Sequence, residues 1–185
     1  MNHKSILIFS AISLLLIKSL VLYAEPLSSS DYQHLQKVRT IHHVLIDMYT
    51  HTDQGIASVL GYHFDTFFSE NWYGSVAIFG AVGGNRGGYG IAAFGPGYLM
   101  PLVSGWEWDT KCLIGSGGGG GLAAGGGLAL ELQTGLNWRW SPEWAVEVKT
   151  GYLTFPSGSF QSPTIQFGFS HQSYRIFLPY ELTHL

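Results

Sequence analysis

The chain has 185 residues, of which 46% are hydrophobic and only 11% charged, with a formal net charge of −3. Soluble domains usually carry roughly 25% charged residues, and with no basic block in the chain nothing points to nucleic acid. The single cysteine, Cys112, excludes an internal disulfide. It shares a strand face with Trp106, Trp108 and Ile114, so it reads as an apolar wall position rather than a reactive thiol.

Residues 1–24 read as a secretory signal peptide. Lys4 supplies the positive start, Ile6 to Ile17 the apolar segment, and Tyr23-Ala24 a small-residue end before Glu25. Lys18 interrupts the apolar run and Leu22 is bulky for its place, so a retained anchor helix is the alternative. No lipidation cysteine lies near the cut. Residues 25–40 form a polar lead-in, expected in the periplasm. Ser28-Ser29-Ser30-Asp31 suit a helix cap ahead of a short helix, and a disordered leader fits equally well.

From Ile41 onward eight runs carry the period of two that defines a strand. The first, Ile41 to Thr52, sets Val44, Ile46 and Met48 against His43, Asp47 and His51. The second, Ile56 to Phe68, sets Leu60, Tyr62 and Phe64 against Gly61, His63 and Asp65. The third and fourth, Trp72 to Val82 and Tyr89 to Met100, are apolar or small on both faces and cannot be oriented. Pro96 inside the fourth predicts a bulge or a frayed end. In the fifth, Trp106 to Ile114, Glu107, Asp109 and Lys111 oppose Trp106, Trp108 and Ile114.

The clearest alternation is the hairpin Leu128 to Phe155. Leu128, Leu130, Leu132, Leu136, Trp138 and Trp140 oppose Ala129, Glu131, Gln133, Gly135, Asn137 and Arg139. Beyond Ser141-Pro142-Glu143, Trp144, Val146, Val148 and Tyr152 oppose Glu147, Lys149 and Gly151. The eighth run sets Ile165, Phe167 and Phe169 against Gln166, Gly168 and Ser170. A tilted strand needs about 9–11 residues to cross a bilayer's apolar layer, and these runs suffice. Past the first 24 residues no uninterrupted apolar run approaches the ~20 residues of a membrane helix.

Connections also alternate. Ser69-Glu70-Asn71, Leu102 to Gly105 and Ser141-Pro142-Glu143 are tight, whereas Gly83 to Gly88, Gly115 to Gly127 and Pro156 to Pro163 are longer. All six tryptophans, Trp72, Trp106, Trp108, Trp138, Trp140 and Trp144, lie near the tight turns, as an aromatic girdle at a bilayer interface requires. With these features the chain resembles the small eight-stranded outer-membrane β-barrel proteins of Gram-negative bacteria, over Ile41 to Phe177. The resemblance implies an all-β, single transmembrane up-and-down antiparallel barrel (41–177) with a C-terminal tail (178–185). It implies location in the outer membrane with both termini periplasmic. Its expected partners are lipopolysaccharide, phospholipid and the barrel-insertion machinery, for a monomer. Such barrels usually end on an aromatic residue read by that machinery; here the chain continues past Tyr174 and Phe177, and Phe177 is the candidate.

The expected interior polar network is Glu107, Asp109, Lys111, Glu131, Arg139, Glu147 and Lys149, with Gln133 and Asn137. Both signs are present, as charges cut off from water require. An eight-stranded barrel is just wide enough for side chains to fill, so a structural or interaction role is expected ahead of a pore. His43, Asp47, His51, His63 and Asp65 form a candidate His/Asp cluster, read first as a hydrogen-bonded core and second as a metal or proton site. No cofactor is expected: the 115–127 glycines lack a following Lys-Ser or Lys-Thr and no helix begins there. In the eighth run, His171-Gln172-Ser173 resembles the His-x-Ser of the outer-membrane lipid A deacylases. That resemblance implies a lipid-modifying hydrolase with His171 as base and Ser173 as nucleophile. The only downstream acid, Glu181, lies in the tail.

Overall fold

A computed structural model describes residues 36–51, 55–83 and 88–177. Eight strands follow in order: β1 (Gln36–His51), β2 (Gly55–Phe67), β3 (Trp72–Gly83), β4 (Gly90–Pro101), β5 (Trp106–Gly118), β6 (Leu128–Arg139), β7 (Trp144–Thr154) and β8 (Gln161–Phe177). Each pairs with the next and the sheet closes into a barrel. The consecutive pairs are antiparallel. At the closure, Arg39 Nε donates to Gln172 Oε1 at 2.8 Å and Thr40 Oγ1 lies 2.9 Å from Ser173 Oγ. The chain divides into Lys37–Arg175, which is the barrel, and a second unit of 1–36 with 176–185. Of the latter only the strand ends 36 and 176–177 are described. The expected signal, most of the lead-in and the tail lie outside the described residues.

Several boundaries differ from the sequence reading. β1 starts at Gln36, so 36–40 belong to a strand and not to the lead-in. β5 runs on through Gly118, because the glycines at 115–118 pair with β4 and leave only 119–127 as loop. β8 starts at Gln161 and takes in Pro163, which pairs with Tyr152. Pro96 makes neither a bulge nor a frayed end. It faces Gly74 within the β3–β4 ladder, and the β4–β5 ladder merely skips two steps between Phe94↔Ile114 and Gly97↔Lys111 without changing register. A missing N–H removes a bond without adding a residue. The register shift lies instead between β2 and β3, at Ser58/Val59.

The three tight turns are built alike, and each delivers a tryptophan as the first residue of the next strand. Ser69 Oγ accepts the Trp72 N–H, and Ser141 Oγ the Trp144 N–H, both at 3.0 Å. In the third turn the Val103 carbonyl accepts from Trp106 at 3.1 Å, with Ser104 and Gly105 at positive φ. The residue before each tryptophan offers its carbonyl to the following strand: Asn71 to Leu99 of β4, Gly105 to Arg139 of β6 and Glu143 to Gln172 of β8. The indoles therefore sit in an arc over β3 to β7 rather than a full ring. β8, β1 and β2 carry none.

Inside, the barrel is layered. Ile41, Phe67, Tyr73 and Leu99 form a small apolar group near the turn end, and polar side chains fill the middle. Thirteen buried residues including Tyr49, Val59, Phe79, Ile91, Leu113, Leu153, Phe155 and Phe160 form an apolar plug toward the loop end. The expected polar network thus occupies the middle of the interior, and an apolar layer lies on either side of it. The 119–127 loop joins the plug through buried Ala124 and folds against the β7–β8 loop: Ala123 O accepts from Ser159 N–H at 3.0 Å, and Gly126 N–H donates to Ser157 Oγ at 2.9 Å.

Gly97 shows how tightly the interior is filled. A Cβ there would lie 2.1 Å from Cζ of the Tyr73 ring, whereas one at Gly74 on the adjacent strand would meet nothing within 4 Å. Gly97→Ala is expected to lower unfolding stability by about 1–3 kcal/mol through overpacking, and Gly74→Ala to leave it within about 0.5 kcal/mol. Urea unfolding in detergent micelles, followed by tryptophan emission, measures both; equal midpoints for the two variants would contradict the packing.

Candidate functional site

The polar chemistry lies inside the barrel because the inward phase of every strand but β4 carries it. His43 from β1 bridges two carboxylates: its Nδ1 is 2.8 Å from Glu147 Oε1 and its Nε2 is 2.9 Å from Asp65 Oδ2. Asp65 also accepts from Ser75 Oγ at 2.5 Å and from Lys111 Nζ at 3.0 Å. Lys111 Nζ reaches His63 Nδ1 at 3.4 Å. On the other side, Lys149 Nζ lies 2.6 Å from both Glu147 Oε2 and Asp109 Oδ2. Tyr73 donates its hydroxyl proton to Asp109. These contacts form one connected chain from Tyr73 through Asp109, Lys149, Glu147, His43, Asp65 and Lys111 to His63. All its members are buried.

A second polar group lies at the turn-end mouth. Arg139 grips Glu107 with two bonds, Nη2–Oε2 at 2.9 Å and Nε–Oε1 at 3.1 Å. Arg39 approaches the same carboxylate at 3.7 Å and stacks 4.2 Å above the Phe67 ring. Toward the plug, Gln166 Nε2 donates to Glu131 Oε1 at 3.2 Å. Gln133 and Asn137 are buried on the same strand as Glu131.

The outer wall is the complement. Every strand shows at least one large apolar side chain outward: Ile46, Leu60, Val76, Phe94, Ile114, Leu132, Val148 and Phe167. Within one hairpin Glu131 and Lys149 are 3% and 2% exposed while Leu132 and Val148 are 58% and 53% exposed. That is the reverse of a soluble sheet, whose outward residues are polar.

No family model matches the chain, and no curated protein matches it either. Solved structures do. A de novo designed transmembrane β-barrel superposes with a TM-score of 0.56 at 12% identity, covering 73% of this chain and 95% of its own. The N-terminal β-barrel domain of Pseudomonas aeruginosa OprF gives 0.52 at 9% identity, covering 75% and 99%. The Yersinia pestis outer-membrane protein Ail, in a phospholipid bilayer nanodisc, gives 0.51 at 13% identity, covering 75% and 100%. The chain has the fold of the small eight-stranded outer-membrane β-barrels.

Within that outer-membrane barrel fold, the seven charged residues expected inside do line the interior, with Arg139 half-buried at the mouth. Of the candidate His/Asp cluster, His43 and Asp65 are in direct contact, and His63 joins through Lys111. Asp47 is buried with neither carboxylate oxygen hydrogen-bonded, and the His51 side chain lies outside the described residues. Lys111 and Ser75 occupy Asp65 as counter-ion and donor, and among the described residues no group of three or more His, Cys, Asp or Glu side chains is placed to hold a metal. His171 and Ser173 are turned to separate partners: the His171 ring packs 4.7 Å from Trp144, and Ser173 Oγ pairs with Thr40. Glu181 lies outside the described residues. Cys112 faces outward, as its strand phase requires.

Sequence reasoning left out Tyr73, Ser75 and Gln166. Tyr73 and Ser75 lie on a strand whose two faces could not be told apart, although both share a phase. Replacing Lys149 with Met would leave Asp109 and Glu147 buried 2.6 Å from where their shared cation was. Loss of one partner from such a set typically costs about 3–5 kcal/mol. Lys149→Met is therefore expected to unfold at distinctly lower urea, with part of the loss recovered in Lys149→Met combined with Asp109→Asn and Glu147→Gln. An unchanged midpoint for Lys149→Met would show that the charges are not interdependent.

Proposed function

We propose that the protein is a small integral outer-membrane barrel of structural or interaction type: a closed wall rather than a conduit or a catalyst. The observation that carries this reading is the inversion of chemistry across the wall, with buried charges inward on β1, β2, β5, β6 and β7 and large apolar side chains outward on every strand. An apolar exterior is stable only against hydrocarbon. The indole arc beside the tight turns supplies an interfacial anchor.

Two features favour a wall over a pore. The charges of the chain from Asp109 to Lys111 are consumed by one another, and the apolar plug with its two folded loops fills the loop end. Short turns on the periplasmic side and longer loops outside are habitual in bacterial outer-membrane barrels; on that habit both strand termini lie in the periplasm and the 119–127 and 155–160 loops at the cell surface. Lipopolysaccharide and phospholipid are then the wall's neighbours, the insertion machinery its route of entry, and the outer loops its remaining contact surface. With His171 and Ser173 bound to different partners, nothing in the geometry favours the hydrolase alternative.

The test combines three measurements. The protein is expected in the outer-membrane fraction, with a mobility on an unboiled SDS gel that shifts on boiling, and without stable large conductance in planar bilayers. A soluble product with one mobility would contradict the membrane reading, and steady conductance would contradict the closed interior.

A further inference from the structure

The outward faces of β8, β1 and β2 break the apolar pattern at one place, where the indole arc is interrupted. Arg175, outward on β8, lays its guanidinium 4.6 Å above the Phe64 ring of β2. The His42 ring of β1 lies 4.9 Å from the same Phe64 ring, and its Nδ1 is 2.6 Å from the Tyr62 hydroxyl. His171 and Arg175 flank Ser173 on one face of β8, and Ser173 meets Thr40 of β1, two residues from His42 on the same outward phase.

Nothing on this face neutralises the cation. Arg175 makes no ion pair among the described residues. The acidic side chains of β1 and β2, Asp47 and Asp65, are both buried inside, and β8 has none. An unpaired guanidinium on an otherwise apolar wall is costly in hydrocarbon and stable in the headgroup layer, where phosphate is at hand. Its depth suits that layer. His171 is level with Trp144; the Arg175 backbone lies four residues further toward the turn end, about 13 Å along a strand, and its side chain reaches back to Phe64, which is level with His42.

On the reading of this barrel as a membrane wall, we propose that Arg175, His42, His171 and Ser173 form a seat for the phosphate of an anionic phospholipid in the leaflet at the turn end. Arg175 supplies charge and a planar fork of donors. When the Tyr62 hydroxyl donates to His42 Nδ1, the ring proton is on Nε2 and adds a donor. The rings of Phe64 and Trp144 form apolar flanks beside the acyl chains. His171 and Ser173, close in sequence and directed to the same outward face, thus serve one ligand without acting on it.

Native mass spectrometry of the intact folded protein, released from neutral detergent with equimolar phosphatidylglycerol and phosphatidylcholine, tests the seat. The wild type is expected to retain phosphatidylglycerol in preference. Arg175→Gln should weaken that preference about fivefold, as loss of one basic group at a membrane surface does. The triple variant Arg175→Gln, His42→Gln, His171→Gln should abolish it while keeping the heat-modifiable gel mobility. Equal retention of the two lipids by folded wild type, an undiminished preference in the folded triple variant, or full displacement by millimolar inorganic phosphate would overturn the lipid seat alone. A wild type with no heat-modifiable form in detergent would overturn the membrane-wall reading and the seat with it.

Discussion

The structure depends on His43 lying between Glu147 and Asp65. A closed eight-stranded sheet sends alternate side chains into a space too narrow for bulk water, so inward charges are stabilised chiefly by partners reached across the interior. His43 joins β1 to β2 and to β7 in one step. Lys149 then carries the chain to β5, and Asp109 to Tyr73 on β3. β4 adds no polar side chain here. It contributes space instead, through Gly97 beneath the Tyr73 ring. Charge pairing and steric fit together hold strands that are far apart in sequence, and they leave the outward phase free to be apolar.

The layering along the barrel axis has a consequence for activity. The charged half lies toward the turns and the apolar half toward the loops, where Phe155 and Phe160 pack with their rings 6.0 Å apart. Among the described residues the plug is aliphatic and aromatic, with the hydroxyls of Tyr49 and Tyr89 its polar atoms. What the molecule offers its surroundings is its outer wall, its loops and the rim at the turn end.

Much of this was legible in the sequence, and the limits have physical causes. In β6 and β7 one phase is charged and the other is Leu, Val or Trp, so inside and outside could be assigned residue by residue. In β3 and β4 the inward residues Ala77, Phe79, Ile91 and Ala93 belong to the plug. Both phases there are apolar, and the alternation that reveals orientation vanishes. Phase is local, whereas pairing depends on register and closure. Nothing in the spacing ties Lys149 to Asp109 across the unpaired strands β7 and β5. Pro96 misled because its missing N–H suggests disruption, yet it costs only two ladder steps. Arg175 and His42 did leave a signal, as basic or imidazole groups in the apolar phase, but only closure brings β8 beside β1 and unites them.

The central claim is that the outward phase meets hydrocarbon, and the native Cys112 tests it without any substitution. It is the sole cysteine, faces outward on β5 and lies between the buried Lys111 and Leu113. A nitroxide attached there, with the protein in phospholipid bilayers, should relax strongly with dissolved oxygen and weakly with a water-soluble nickel chelate. Strong relaxation by the chelate would place this face in water and contradict the account.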